Sequence, residues 1–141
     1  MDFLKNIINN QEDIKIGIMF SYKDSVLVKQ ETLEEFDMHV FDIPTLNIKV
    51  KDIDKLDKII DKEFKIKYRN KLYINTYEYL DEECNKKIQI NMGANVLNKN
   101  KVNGYVWMEQ SKIVEENNTM DSLRQIIPIY NYNLSTKKQV V

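Results

Sequence analysis

The run Phe41-Asp42-Ile43-Pro44-Thr45-Leu46, followed by an amphipathic stretch over residues 53–64, constrains the fold more than any other part of this sequence. Residues 38–43 alternate polar and apolar side chains, with Asp42 between Phe41 and Ile43, as a half-buried strand does. Pro44 then removes a backbone N–H and ends the run. From Ile53 the apolar residues fall at Leu56, Ile60 and Phe64, a spacing that gathers them on one face of about three helical turns. Strand, break and helix in close succession commit the chain to a mixed architecture.

The flanking segments supply the remaining elements. Residues 14–20 read as a strand and residues 26–28 as its partner, with Tyr22-Lys23-Asp24-Ser25 as the turn between them. Residues 31–35 are expected to form a charged loop. A short strand over 46–50 puts Ile48 and Val50 on one face and Asn47 and Lys49 on the other, and Asp52 is expected to cap the helix. Residues 71–79 and 87–92 form two long strands, antiparallel across the acidic turn 81–85. Another strand is predicted over 105–108, and Thr119 opens a final helix that stops before Pro128. Phe3, Leu4, Ile7 and Ile8 have helical spacing and suit a docking helix.

The expected fold class is α+β, an α/β/α sandwich with a mixed sheet between helices. With no internal repeat, linker or shift in composition, the 141 residues divide into a docking helix (1–13), one domain (14–131) and a tail (132–141). A net charge of −1 leaves no basic footprint for DNA, RNA or an anionic membrane. No apolar run approaches the roughly 20 residues that span a bilayer. Lone Cys84 has no internal disulfide partner, and a cytoplasmic location is expected.

On these elements the chain resembles the Nudix family, whose members usually cleave nucleoside diphosphates linked to another group. The resemblance covers roughly residues 14–125. Phe41-Asp42-Ile43-Pro44 looks like the approach to the family's box, and residues 58–66 overlie its helix and exit. Ile60 stands for the buried leucine, Ile66 for the aliphatic residue after the box, and Gly104-Tyr105-Val106-Trp107-Met108 for the late strand.

Departures fall where the family places its chemistry. Thr45 and Leu46 replace the paired glycines, the interval from Leu46 to Ile60 is shorter than the family pattern, and Lys58 replaces the arginine. Ile59 and Lys62 occupy two of the three positions for helix glutamates, leaving Glu63. Mg²⁺ favours near-octahedral oxygen ligands, and a single carboxylate with Lys62 beside it is a poor match. The Lys62 ammonium is instead suited to pairing with phosphate.

The resemblance, with these departures, implies a degenerate Nudix-like domain that binds a nucleotide-type ligand or a protein partner without catalysis, and needs no cofactor. The alternative is a divergent hydrolase of nucleoside diphosphate-linked phosphoanhydrides, with Glu63 as the catalytic carboxylate and Mg²⁺ or Mn²⁺ held by Glu63 and Asp61. Glu109 is a further carboxylate for that reading. Asp54, Asp57 and Asp61 share a helix surface, although the interspersed Lys55, Lys58 and Lys62 favour a solvated charged face. Asp81-Glu82-Glu83 reads as a solvated hairpin tip, His39 as a strand residue and Cys84 as a bystander thiol. Tyr73, Tyr77 and Tyr79 are expected on one strand face, and Trp107 in the core.

Overall fold

A computed structural model describes residues 12–36 and 38–115. Its strands are β1 (Asp13–Tyr22), β2 (Ser25–Leu33), β3 (Met38–Asp42), β4 (Thr45–Lys49), β5 (Tyr68–Leu80), β6 (Lys86–Val96) and β7 (Tyr105–Glu109). Helix α1 (Leu56–Phe64) lies between β4 and β5, and α2 (Gln110–Glu115) follows β7.

All seven strands join one mixed sheet, in which β1 is the hub. Along one edge β1 runs parallel to β6, from Lys15 opposite Gln89 to Ser21 opposite Asn95. Along its other edge, Asp13 to Gly17 pair antiparallel with β4, and Ser21 and Tyr22 pair with β2. The change of partner falls at Pro44, whose carbonyl accepts a bond from the Ile18 N–H at 2.9 Å. Strands β3 and β7 both pair with β2, and β5 closes the far edge against β6.

Alternation along β1 sends Ile14, Ile16, Ile18 and Phe20 to one face, where they pack with Leu56, Ile60, Phe64 and Ile66. Met19 points to the other face, joining Val26, Val28, Ile43, Ile74 and Ile113. The sheet thus lies between α1 and α2, the α/β/α sandwich expected. Ile60 and Ile66 are each 1% exposed, which fixes the register of the helix and its exit.

Several local details differ from the sequence reading. Residues 31–33 continue β2 because Glu31 to Leu33 find partners in Val40 to Met38, and a 3-10 turn (Glu34–Phe36) follows. Asp52 does not cap a helix: it lies within a 3-10 turn (Val50–Lys55) that begins after Lys49 and leads into α1 without a side-chain cap. Tyr73 is not on the face of Tyr77 and Tyr79. A bulge between Tyr73 and Asn75 sets Tyr73 opposite Met92, on the α1 side, whereas Tyr77 lies opposite Gln89. The expected docking helix and the helix opening at Thr119 fall in residues 1–11 and 116–141, outside the described residues.

The α2 side of the sheet carries a buried polar ladder. Gln89 Nε2 donates to Asn91 Oδ1 at 2.8 Å, and Asn91 Nδ2 donates to Asn75 Oδ1 at 2.9 Å. Gly17 makes the ladder possible, since a Cβ there would lie 2.2 Å from Asn91 Oδ1.

Candidate functional site

Helix α1 buries Leu56, Ile60 and Phe64 and turns Asp61, Lys62 and Glu63 to solvent. It ends abruptly because Lys65 adopts the left-handed conformation at φ 55° and ψ 39°, with its N–H bonded to the Asp61 carbonyl at 2.8 Å. The chain then re-enters the core at Ile66, leaving a recess on either side of the helix end.

Asp61 and Glu63 line different recesses. Asp61 shares a cleft of about 530 Å³ with Asp57, Lys67, Tyr68, Asn70 and Lys71. There Lys71 Nζ approaches Asp57 Oδ1 at 2.6 Å, and the Tyr68 hydroxyl donates to the same oxygen at 2.5 Å. Those two hydrogen bonds, the Lys71 ammonium first, hold the Asp57 carboxyl below the usual carboxylate range. Burial, reinforced by the bond to Asp57, pushes the Tyr68 phenol well above its ordinary value. Asp57 therefore already has two partners.

Glu63 lines a second cleft, of about 380 Å³, with Lys65, Lys101, Asn103 and Tyr105 around it. Phe64 also lines it, with its ring packed edge to face against Tyr105 at a centroid separation of 5.6 Å. Burial raises the Tyr105 phenol, with the Glu63 carboxylate adding to the shift and Lys29 opposing it. The phenol therefore remains a hydrogen-bond donor through neutral pH. Lys62 is exposed between the two acidic residues.

A third polar cluster surrounds Asp42. Its Oδ1 accepts the Ile43 N–H at 2.7 Å, yet burial raises its carboxyl above the ordinary range. Lys15 and Lys29 oppose that rise and Glu31 adds to it. Lys15 Nζ also lies 5.0 Å from the centre of the Tyr79 ring.

The remaining candidates have structural placements. Asp81 Oδ1 accepts the N–H groups of Glu83 and Asn85 and so organises the hairpin tip. Exposed Cys84 takes φ 62° in that turn. The Trp107 indole packs on the core and donates to the Asn100 carbonyl at 2.8 Å. His39 lies in β3 opposite Thr32, and Glu109 is an exposed residue at the end of β7. Among the described residues, no three His, Cys, Asp or Glu side chains are grouped to hold a metal ion. Lys65, Lys101 and Asn103 escaped the sequence reading because no pattern ties a helix end to a polar loop so distant in the chain.

No protein-family model matches this sequence, and comparison with curated proteins gives no match. Solved structures do match. A NUDIX hydrolase from Nitrosomonas europaea aligns with a TM-score of 0.64 at 9% identity, over 87% of this chain and 90% of that one. A NUDIX-family hydrolase from Clostridium perfringens gives a TM-score of 0.59 at 12% identity, over 87% of this chain and 98% of that one. The NUDIX domain of Shewanella oneidensis NrtR, complexed with ADP ribose, gives 0.61 at 12% identity, over 86% of this chain and 87% of that one. The chain has a Nudix-like α+β fold. Among the described residues no helix is long and apolar enough to cross a membrane.

Proposed function

We propose that this chain is a degenerate Nudix-like domain that binds a nucleotide-type ligand in the cytoplasm without hydrolysing it, a protein partner being the other occupant the surface would suit. One observation carries the reading: Asp61 and Glu63, the carboxylates at the end of α1, line separate clefts, with the Lys62 ammonium exposed between them. Divalent-metal hydrolysis of a diphosphate requires oxygen ligands converging on one point. Ile59 and Lys62 supply none at two of the three helix positions where the family places glutamates. Lys62, which is exposed and lines neither cleft, is assigned to drawing the ligand's phosphate charge towards the helix end, and Glu63 to orienting polar groups of the ligand. The neighbour bound to ADP ribose supports a ligand of that chemical class.

The test is a melting series with ADP-ribose, nucleoside diphosphate sugars and nucleoside triphosphates, each in EDTA and in Mg²⁺ or Mn²⁺. A ligand present at 100 times its Kd stabilises the folded state by about 2.7 kcal/mol. The reading predicts a rise in Tm that survives EDTA, with no product formed in either metal. Metal-dependent turnover that Glu63→Gln abolishes, with the variant still folded, would establish the hydrolase instead, with Glu63 in its metal site.

A further inference from the structure

We infer that the cleft between the end of α1 and the loop before β7 holds a diphosphate directly on the ammonium groups of Lys65 and Lys101, with no metal ion between. The inference rests on the proposed nucleotide binding and specifies how the charge of such a ligand is met.

The cleft, about 380 Å³, falls within the usual size of a small-molecule site. Its charged lining is unequal, with one carboxylate, Glu63, and two lysines, Lys65 and Lys101. Lys29, Lys71 and Lys86 spend their charge on Glu31, Asp57 and Glu78, whereas among the described residues neither Lys65 nor Lys101 has an ion-pair partner. Asn103 adds an amide donor, and Tyr105 a hydroxyl that burial keeps protonated. Two ammonium groups, an amide and a phenol lining one cleft suit a phosphate oxygen and repel a divalent cation.

Lys65 sits at φ 55°, where a residue with a Cβ is disfavoured and glycine is preferred. Lys65 is exposed and lines the cleft, whereas glycine would satisfy the helix end better and leave the cleft without the charge. Binding and folding therefore make opposite demands on this residue, and that opposition can be measured.

The experiment is calorimetric titration in EDTA with inorganic pyrophosphate and with ADP-ribose, on wild type, Lys65→Gly, Lys101→Ala and the hairpin control Lys86→Ala. Loss of one charge-assisted hydrogen bond predicts affinity for both probes falling roughly tenfold or more in Lys65→Gly and in Lys101→Ala. Lys86→Ala binds as wild type. The Tm of ligand-free Lys65→Gly should equal or exceed that of wild type, so weakened binding there cannot be ascribed to unfolding. ADP-ribose binding more tightly than pyrophosphate identifies a nucleotide diphosphate as the occupant. Equal affinities would keep the lysine site for free pyrophosphate and overturn the nucleotide reading. Unchanged affinity in both cleft variants, with ADP-ribose still bound by wild type, would overturn the lysine site and leave nucleotide binding in place. Pyrophosphate binding only after addition of Mg²⁺ would also overturn it, and failure of both probes to bind wild type would overturn both proposals.

Discussion

Asp42 illustrates how a single residue in a recognisable motif takes on a local cost. It lies at the end of β3, half-buried, with its carboxyl raised chiefly by burial and only partly relieved by the Ile43 N–H. A carboxyl whose folded pKa exceeds its unfolded value destabilises the fold when ionised. That penalty is fully present above the folded pKa, and it disappears as pH falls below the unfolded value near about 3.9. Asp42→Asn keeps an oxygen for the Ile43 N–H and removes the charge. Its unfolding free energy from urea titration at pH 7 should equal that of wild type or exceed it by less than about 1 kcal/mol, given solvent screening of a half-exposed group. At pH 3.5 the difference should shrink towards zero. A clearly less stable variant at pH 7 would mean that the ionised carboxylate is instead stabilised by Lys15 and Lys29.

Between elements, the contact of β1, β6 and β5 on the α2 side is set by the Asn91 amide occupying the space beside Gly17. Asn91 is fully buried and bonded to both Gln89 and Asn75, so it has little room to yield. Gly17→Ala should therefore cost about 2–3 kcal/mol by overpacking and loss of a buried hydrogen bond. Denaturant unfolding checks this, and a loss below about 0.5 kcal/mol would show that the ladder rearranges freely. The same scale shows what the sequence could reveal. Helix α1 was legible because Leu56, Ile60 and Phe64 repeat at a helical period, and β1 because its isoleucines alternate. Pro44 correctly marked the end of β3. The face of Tyr73 was not legible, since a bulge shifts register without a distinctive residue to announce it. Nor was the left-handed end of α1, because Lys65 stands where glycine would be the signal. At the candidate site, Glu63 was singled out by the resemblance to the Nudix helix, whereas its cleft partners Lys101, Asn103 and Tyr105 are brought to it only by the pairing of β7 with β2.

For the whole molecule, the fold is Nudix-like while the chemistry proposed for it is not. The chain aligns with two NUDIX hydrolases and with the NUDIX domain of NrtR over 86–87% of its length at 9–12% identity. Burial explains how the same architecture forms at so low an identity: the apolar spacing at Ile14, Ile16, Ile18, Phe20, Leu56, Ile60 and Phe64 suffices to form the sheet and seat the helix. The exposed residues of that helix are under no such constraint, so the fold does not dictate which charges it carries. The most direct test of binding without hydrolysis is ³¹P NMR of ADP-ribose mixed with the protein, first in EDTA and then with excess Mg²⁺. The account predicts diphosphate resonances that shift or broaden on mixing and keep their full intensity after metal is added. Phosphomonoester resonances appearing in wild type after Mg²⁺, and absent with Glu63→Gln, would contradict it.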